Sequence, residues 1–253
     1  MTTSSTLSGV QAGKVAFVTG GSRGIGAAIV RRLARDGAAV AFTYGGNAAA
    51  AQSLVSEIDA AGGQALAIQA DSADAGALGA AVAQAAKTFG RIDILVNNAG
   101  VFLGGSIEQM SLEDFDRTLN INVRAVFVAT QAAVRHMGDG GRVITIGSTN
   151  AERMPWPGFA AYAMSKSALT GLTRGLARDL GPRGITVNNV QPGPVDTEMN
   201  PADGPHAEAM HALMALNRHG RGEEIAGMVA YLASPEAAFV TGASLTIDGG
   251  FSA

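Results

Sequence analysis

Lys14-Val15-Ala16-Phe17-Val18-Thr19 runs directly into Gly20-Gly21-Ser22-Arg23-Gly24-Ile25-Gly26, and this stretch decides the fold. The first part is short and rich in β-branched and aromatic residues, which is typical of a buried strand. A segment rich in Ala, Ile and Leu follows to about Asp36 and predicts a helix, with Gly37 at its C-terminal cap. Glycines between a strand and a helix let backbone N–H groups approach a phosphate. The stretch therefore predicts a strand–turn–helix unit that can bind a dinucleotide.

The rest of the chain repeats the alternation of strand and helix. Further strands are predicted at 40–42, 65–69, 92–96, 142–146, 185–188 and 244–247, and helices at about 47–61, 74–89, 111–137, 160–180 and 223–232. This alternation indicates a parallel sheet covered by helices on both faces. We therefore expect an α/β fold, a single-domain doubly wound Rossmann-type parallel sheet. Residues 1–12 are expected to form a flexible tail, and residues 13–253 one dinucleotide-binding catalytic domain.

Composition excludes several classes of protein. The net charge is −3 and no long basic run occurs, so nucleic acid is not an expected partner. The chain has no cysteine, which excludes disulfides, thiol catalysis and cysteine-ligated zinc. Residues 1–11 lack the features of a secretory signal, and no apolar run reaches membrane-spanning length. We expect a soluble, cytoplasmic protein that does not bind a membrane.

A second stretch, Tyr162-Ala163-Met164-Ser165-Lys166, places a phenol and an ammonium about one helical turn apart. A cation beside a phenol favours the phenolate, so we expect the pKa of Tyr162 to fall. The hydroxyl of Ser148, at the end of the fifth predicted strand, could hold a substrate oxygen against the phenol. Tyr162 would then donate or accept a proton near neutral pH.

The choice of dinucleotide depends on the end of the second predicted strand. Thr43-Tyr44-Gly45-Gly46-Asn47 contains no acid, whereas NAD sites usually carry a carboxylate about 20 residues after the glycine turn. Its absence permits a 2′-phosphate, for which Arg23 supplies a cation. No other Lys or Arg lies between Arg35 and Lys87, so Tyr44 and Asn47 are expected to be neutral helpers. We predict a preference for NADP(H), with NAD(H) as the alternative cofactor.

The substrate pocket is expected between two loops. Met154-Pro155-Trp156-Pro157-Gly158-Phe159 lies between Ser148 and Tyr162 and should line the pocket entrance. The opposite wall is expected at 195–216, which carries Met199, Met210 and Met214, within a substrate lid at about 194–219. The residues expected to contact substrate are Ser148, Met154, Trp156, Tyr162 and Met199.

These apolar walls favour a hydrophobic or aromatic ketone over a sugar. The alternative is that Trp156 and the methionines pack in the core or between subunits. His206 and His211 are five residues apart, not the four of a helical zinc pair, so no catalytic metal is expected.

The motifs occur in one order along the chain. They are Thr19-Gly20-x-x-x-Gly24-x-Gly26, Asp71, Asn97-Asn98-Ala99-Gly100, Asn122, Ser148, Tyr162-x-x-x-Lys166, Pro192-Gly193 and Asp248-Gly249-Gly250. Together they resemble the short-chain dehydrogenase/reductase family, whose members include 3-oxoacyl carrier-protein reductases and carbonyl reductases. The resemblance covers nearly the whole chain from Lys14 onward.

The resemblance implies a hydride transfer between NADP(H) and a ketone or secondary alcohol, with Tyr162 as general acid and base. Ser148 would polarise the carbonyl, and Lys166 would lower the pKa of Tyr162 and bind the nicotinamide ribose. Asn122 would hold a water molecule in a proton relay. A homotetramer built partly on the helices after Ser111 and Phe159 is also implied. The cofactor-binding residues expected from the resemblance and the glycine turn are Gly20, Ser22, Arg23, Gly24, Ile25, Gly26, Tyr44, Asn47, Asp71, Ser72, Asn98, Ala99, Gly100, Tyr162, Lys166, Pro192, Gly193, Val195 and Thr197.

Other functions stay open on the residues alone. Gly20-Gly21-Ser22-Arg23-Gly24 also matches G-x-S-x-G, the nucleophile elbow of α/β-hydrolases, although only one strand precedes it. A non-catalytic nucleotide-binding protein would share the fold. An NAD-dependent alcohol or polyol dehydrogenase is the alternative within the same family. Taken alone, Asp71 could also be the N-cap of the next helix.

Overall fold

The computed structural model describes residues 9–253. Its strands are β1 (Val15–Val18), β2 (Ala39–Tyr44), β3 (Gln64–Gln69), β4 (Ile94–Asn97), β5 (Arg142–Ile146), β6 (Thr186–Pro192) and β7 (Ser244–Ile247). Its α-helices are α1 (Gly24–Arg35), α2 (Ala48–Ala60), α3 (Ala75–Phe89), α4 (Leu112–Leu119), α5 (Ala125–Ala133), α6 (Ala160–Leu180), α7 (Ala207–His211) and α8 (Gly222–Ala233). A π-helix, Asn120–Arg124, joins α4 to α5. No helix in the described range is long and apolar enough to cross a membrane.

The seven strands form one sheet in the order β3-β2-β1-β4-β5-β6-β7. Every pairing in it is parallel. The chain winds outward from β1 in one direction and from β4 in the other. In such sheets ligands bind beyond the carboxyl ends of the strands, at the point where the order reverses. The predicted doubly wound α/β fold is confirmed.

Strand β1 shows why the sheet is covered on both faces. Ala16 and Val18 enter a core shared with α1, α2 and α8, whereas Val15 and Phe17 enter a core shared with α3, α5 and α6. The alternation follows from the two-residue period of a strand. All four residues are buried, so the glycine turn starts from a fixed strand end.

The helix predicted at 111–137 is interrupted. Ser111 caps α4 as expected, because its Oγ accepts a hydrogen bond from the Asp114 N–H at 3.0 Å. The regular helix ends at Leu119, passes through the π-helix and stops at Ala133. Single π-turns inside α-helices frequently occur at functional sites. This one carries Asn122.

Strand β6 is longer than the predicted 185–188 and runs to Pro192 with every residue buried. Its second half contains Asn188, Asn189 and Gln191, which do not read as a strand core. Each hydrogen-bonds to a residue in or before β7: Asn188 Nδ2 donates to the Val240 carbonyl at 2.7 Å, Asn189 Nδ2 donates to Ser244 Oγ at 3.2 Å, and Gln191 Oε1 accepts from Thr246 Oγ1 at 3.4 Å. The extension delivers Pro192 and Gly193 to the edge where ligands bind.

The expected flexible tail at 1–12 is wrong for its last residues. Residues 1–8 lie outside the described range. Gln11 is buried, and its backbone N–H donates to the Asp36 carbonyl at 2.8 Å. A side chain at Gly9 would lie 2.0 Å from the same carbonyl oxygen. Residues 9–12 therefore pack against the end of α1.

Candidate active site

One cavity of about 630 Å³ opens along the carboxyl ends of β1, β4, β5 and β6. Most of the predicted site residues line it. Those are Gly20, Ser22, Arg23, Gly24, Ile25, Gly26, Tyr44, Asp71, Ser72, Asn98, Ala99, Gly100, Ser148, Trp156, Tyr162, Lys166, Pro192, Gly193, Val195, Thr197 and Met199. Three predicted residues, Asn47, Asn122 and Met154, are not part of the lining.

The glycine turn leaves room for a phosphate. Gly20 and Gly24 have φ of +64° and +51°, a region that L side chains rarely adopt. A Cβ at Gly26 would lie 2.2 Å from the Gly20 carbonyl oxygen, so no side chain fits there. The Gly20 N–H is held by Thr43 Oγ1 at 3.0 Å. A bare backbone at the start of α1 fits the pyrophosphate of a dinucleotide.

Asn98 locks the turn after β4 to the glycine turn. Its Nδ2 donates to the carbonyls of Thr19 and Gly20 at 3.0 and 2.9 Å. Thr19 Oγ1 in return accepts the N–H groups of Asn98 and Ala99, both at 3.0 Å. The side chain of Asn98 thus holds the cavity floor together. Thr19 and Thr43 were not predicted as site residues, although both lie beside predicted ones.

The predicted phenol and ammonium meet at the other end of the cavity. Lys166 is buried, and its Nζ donates to the Ile146 carbonyl at the end of β5 at 3.0 Å. The same nitrogen lies 5.8 Å from the centroid of the Tyr162 ring. Ser148 lies two residues beyond the end of β5, and its Oγ accepts the Asn150 N–H at 3.1 Å. The strand end and α6 therefore bring the three side chains together.

The prediction that the pKa of Tyr162 falls is wrong for the protein without a bound cofactor. Burial raises the pKa of the phenol, and a hydrogen bond with Ser148 opposes that rise without cancelling it. Burial also lowers the pKa of Lys166 to about 8. Both shifts have one cause, since a low-dielectric surrounding disfavours the charged form of each group. Tyr162 is thus held in its neutral, protonated form.

Asn122 lies outside the lining of the cavity. Its Oδ1 accepts the Val101 N–H at 2.9 Å, and its Nδ2 donates to the Val101 carbonyl and to Ser165 Oγ, both at 3.0 Å. A Cβ at Gly100 would lie 3.4 Å from Asn122 Oδ1 and 3.6 Å from Lys166 Nζ. The side chain of Asn122 therefore ties the loop after β4 to α6, next to the ammonium.

At the far end of the cavity, some polar residues line the cavity, whereas their neighbours in sequence cap helices. Asp71 lines the cavity, and its Oδ1 accepts the Ala73 N–H at 2.9 Å. Asp74, not Asp71, caps α3 by accepting the N–H groups of Gly76 and Ala77. Asn47, expected beside the cofactor, lies outside the lining and caps α2 through the Ala50 N–H at 3.0 Å. The positive charge at the glycine turn comes from the exposed guanidinium of Arg23.

The predicted lid is a loop whose ends are tied together. The Gly220 N–H donates to the Pro194 carbonyl and the Asp196 N–H to the Gly220 carbonyl, both at 2.9 Å. The lid reaches back over the glycine turn, where a Cβ on Gly24 would lie 3.3 Å from Thr197 Cγ2 and 3.6 Å from Glu198 Oε2. Glu198 was not predicted and places a carboxylate beside the phosphate end.

Aromatic residues form the substrate end of the cavity. Phe102 stacks on Phe159 with ring centroids 4.4 Å apart, and Trp156 lies 5.7 Å from Phe251. Met199 and Met210 also line the cavity, whereas Met154 and the buried Met214 do not. Phe102 and Phe251 were missed because neither belongs to the expected loops. Their only signal in the sequence is their position just after predicted strands.

The hydrolase alternative finds no support at Ser22. Among residues 9–253, Ser22 has no side-chain hydrogen bond to a histidine, which a serine nucleophile needs as its base. Two of the three histidines of the lid, His211 and His219, pair with each other, with His211 Nε2 2.7 Å from His219 Nδ1. Sheet order, glycine turn and cavity together define a doubly wound α/β protein with a site of the dinucleotide-binding type.

Comparison with known proteins narrows this class to one family. Residues 20–252 match the family model described as enoyl-(acyl carrier protein) reductase. The cyclic-di-GMP-binding biofilm dispersal mediator protein of Escherichia coli K12 is 54% identical over 245 residues, covering 97% of this chain and 100% of that protein. A solved short-chain dehydrogenase/reductase from Serratia marcescens BCRC 10948 is 67% identical with a TM-score of 0.95, covering 96% of this chain and 99% of the other.

A short-chain dehydrogenase from Burkholderia cenocepacia J2315, solved in complex with NADP, is 57% identical with a TM-score of 0.95, again covering 96% and 99% of the two chains. The present chain belongs to the short-chain dehydrogenase/reductase family.

Proposed function

We propose that the protein is an oxidoreductase that transfers a hydride between NADP(H) and a ketone or secondary alcohol. One observation carries the proposal: Ser148, Tyr162 and Lys166 line one cavity, where the buried ammonium of Lys166 lies 5.8 Å from the centroid of the Tyr162 ring. The same cavity contains the glycine turn. A proton donor and a dinucleotide cradle therefore share one space.

The chain's own groups account for binding and proton transfer. The glycine turn would hold the pyrophosphate, and Lys166 with Pro192 and Gly193 would hold the nicotinamide end. The bound cofactor supplies the hydride chemistry. Ser148 would orient the substrate oxygen, and Tyr162 would give it a proton during reduction. The fixed cation of Lys166 would stabilise the phenolate that remains, and Asn122 would support a proton relay behind it.

NADP(H) is the cofactor that the residues favour. Tyr44 and Gly45 line the cavity after β2 without a carboxylate that would repel a 2′-phosphate. Arg23 lines the same end and can donate two hydrogen bonds to a phosphate. The Burkholderia relative, solved with NADP, supports this choice. An NAD-dependent alcohol or polyol dehydrogenase is the alternative if the contact between Arg23 and the 2′-phosphate proves weak.

The substrate is a hydrophobic or aromatic ketone. The cavity is lined at this end by Phe102, Phe159, Trp156, Phe251 and Met199. Such walls suit an apolar ligand whose one polar group is the carbonyl. The direct experiment is a steady-state panel of aryl ketones, aliphatic ketones and 3-oxoacyl thioesters with NADPH and NADH in parallel. The proposal predicts turnover of aryl ketones with NADPH; no turnover of any carbonyl would contradict it.

A second candidate function rests on the Escherichia coli relative, which is named as a cyclic-di-GMP-binding protein and matches over its whole length. If this second function holds, the protein also binds a cyclic guanine dinucleotide. Calorimetric titration with cyclic-di-GMP in the presence and absence of saturating NADPH tests it. A signal that persists with NADPH bound would show a second binding site, and no signal would dismiss the candidate.

We also propose a cytoplasmic homotetramer with one catalytic domain, residues 13–253, and a lid at about 194–219. Apolar side chains on helices after Ser111 and Phe159 support this assembly: Leu112, Phe127 and Met164 are 80%, 48% and 45% exposed. Phe239 after α8 is fully exposed as well. Light scattering on the eluting peak of a size-exclusion column would give the mass, and a monomer would contradict the assembly.

A further inference from the structure

A second cavity of about 400 Å³ lies on the face of the sheet covered by α1, α2 and α8. It shares no lining residue with the dinucleotide cavity. Its floor is apolar and comes from Ala28, Ala34, Ile58 and Ala226, all buried. Its volume lies within the range of small-molecule sites, about 300–1,000 Å³. We call it the α1–α8 groove.

Three arginines of the last two turns of α1 line the groove. Arg31 donates through Nε to both oxygens of Glu57, at 2.8 and 3.0 Å. Arg32 donates through Nε to Asp36 at 2.8 Å. Arg35 is the most exposed of the three, and its closest carboxylate, Asp36, is 3.9 Å away. The carboxylates therefore occupy Nε of Arg31 and Arg32 and hold those two guanidinium planes in place, whereas Arg35 has no such hydrogen bond.

The terminal nitrogens of these arginines remain available for a ligand. Within residues 9–253, neither Nη atom of Arg31, Arg32 or Arg35 donates a hydrogen bond to the protein. Paired Nη donors, on fixed planes in Arg31 and Arg32, suit bidentate contacts to phosphate oxygens or to two adjacent acceptors on a base. Glu57 keeps its charge beside Arg31, because that hydrogen bond lowers the pKa of the carboxyl.

The positive and negative charges around the groove cancel, and this indicates the kind of ligand that it could bind. Three arginines face Glu57, Glu223 and the nearby Asp36, so the cluster has no net charge with which to attract a simple anion. Recognition must come from directed hydrogen bonds of both polarities. Guanine offers O6 and N7 as paired acceptors for arginine and its N2 amino group as a donor for a carboxylate. A guanine nucleotide adds phosphates for the remaining arginine.

We propose that the α1–α8 groove binds a guanine nucleotide, with arginine on the phosphate and on the O6/N7 edge and a Glu carboxylate on the amino edge. The apolar floor covers one face of the base. This site gives the second candidate function a location separate from the dinucleotide cavity, and it rests on that candidate alone. The reductase function does not depend on it.

Calorimetry on the full chain tests the site, with cyclic-di-GMP as probe, cyclic-di-AMP as the base control and inorganic phosphate as the charge control. We expect cyclic-di-GMP to bind with the same affinity in the presence of NADPH. Arg35→Gln and Glu223→Gln should each weaken it about tenfold, the usual effect of losing one charge-assisted hydrogen bond. The matched control is Arg178→Gln, which changes an exposed arginine on α6 and should have no effect.

The variants also separate the ways in which the proposal can fail. Competition with NADPH, together with loss of binding in Arg23→Gln, would place the nucleotide in the dinucleotide cavity and overturn the groove while keeping the second candidate. Absence of any cyclic-di-GMP signal would overturn both. Equal affinity for cyclic-di-AMP or for inorganic phosphate would overturn the guanine assignment. NADPH-dependent ketone turnover is measured in each variant and should stay unchanged in Arg35→Gln.

Discussion

Phe102 meets Tyr162 edge to face, with ring centroids 4.7 Å apart and planes at 83°. The same Phe102 ring stacks on Phe159, and the Gly105 N–H donates to the Gly158 carbonyl at 2.8 Å. The loop after β4 therefore places the Phe102 ring against the phenol of Tyr162, which lies on α6. Aromatic pairs of this kind contribute about 0.5–1.5 kcal/mol beyond their buried area.

Replacing Phe102 should disturb the position of the phenol. Phe102→Ala removes the edge contact, so we expect kcat for ketone reduction to fall about three- to tenfold, which corresponds to that contact energy. Phe102→Tyr keeps a ring in place and serves as the control. Steady-state kinetics would check the pair, and equal kcat in both variants would show that the ring does not position Tyr162.

The low pKa of Lys166 leads us to expect that kcat/KM for NADPH declines at alkaline pH. Burial lowers its pKa to about 8, so the ammonium is present below that pH and is lost above it. Because the charged form would bind the ribose and stabilise the phenolate, kcat/KM for NADPH should fall as pH rises through about 8. A profile that stays flat to pH 10 would contradict this role. Lys166→Met should remove the pH dependence together with most of the activity.

Glu198 predicts a variant with tighter cofactor binding. Its Oε2 lies next to Gly24, where the pyrophosphate is expected, and like charges about 4 Å apart repel by about 1 kcal/mol in water. Glu198→Gln should therefore lower KM for NADPH about fivefold at low salt, with a smaller effect at high salt. Glu208→Gln, an exposed change on α7, is the matched control. An unchanged KM would place the carboxylate away from the phosphates.

His219 predicts a loss of stability at acid pH. Burial lowers its pKa first, and the nearby His211 lowers it further, whereas Asp196 opposes the shift. Because the folded pKa is below the unfolded value, about 6.5, this contribution to stability is complete above that pH. It is lost as pH falls through the folded pKa.

Thermal unfolding between pH 5 and 8 checks this expectation. His219→Gln should reduce the difference in Tm between the two ends of that range. His136→Gln, which changes an exposed histidine, should leave the difference as it is in the parent protein. If both variants keep the parent's pH dependence, the acid sensitivity arises elsewhere.

The sequence predicts the sheet well because the strand cores are apolar and the glycine turn is unusual. It predicts the second half of β6 poorly, since Asn189 and Gln191 are polar and have their partners on the β7 side. The interruption of the helix before Asn122 is also invisible in its apolar pattern. A π-turn depends on contacts such as the Asn122–Val101 pair, which join residues far apart in the chain.

The site was predicted unevenly for a similar reason. Motif residues such as Ser148 and Lys166 stand at strand ends or on one helix face, and spacing alone brings them together. Asn47 and Met154 lie outside the cavity lining, because spacing does not show which way a loop side chain turns. The pKa of Tyr162 was predicted in the wrong direction because burial, which sequence does not give, exceeds the favourable contacts.

Turnover of Tyr162→Phe tests the central proposal most directly, since the change removes one hydroxyl and keeps the ring against Phe102. Loss of a positioned proton donor typically lowers the rate about 10²–10⁴-fold. We expect a fall of that size in kcat for reduction of an aryl ketone, with NADPH affinity retained in a direct binding titration. Undiminished turnover in this variant would contradict the assignment of Tyr162 as the proton donor.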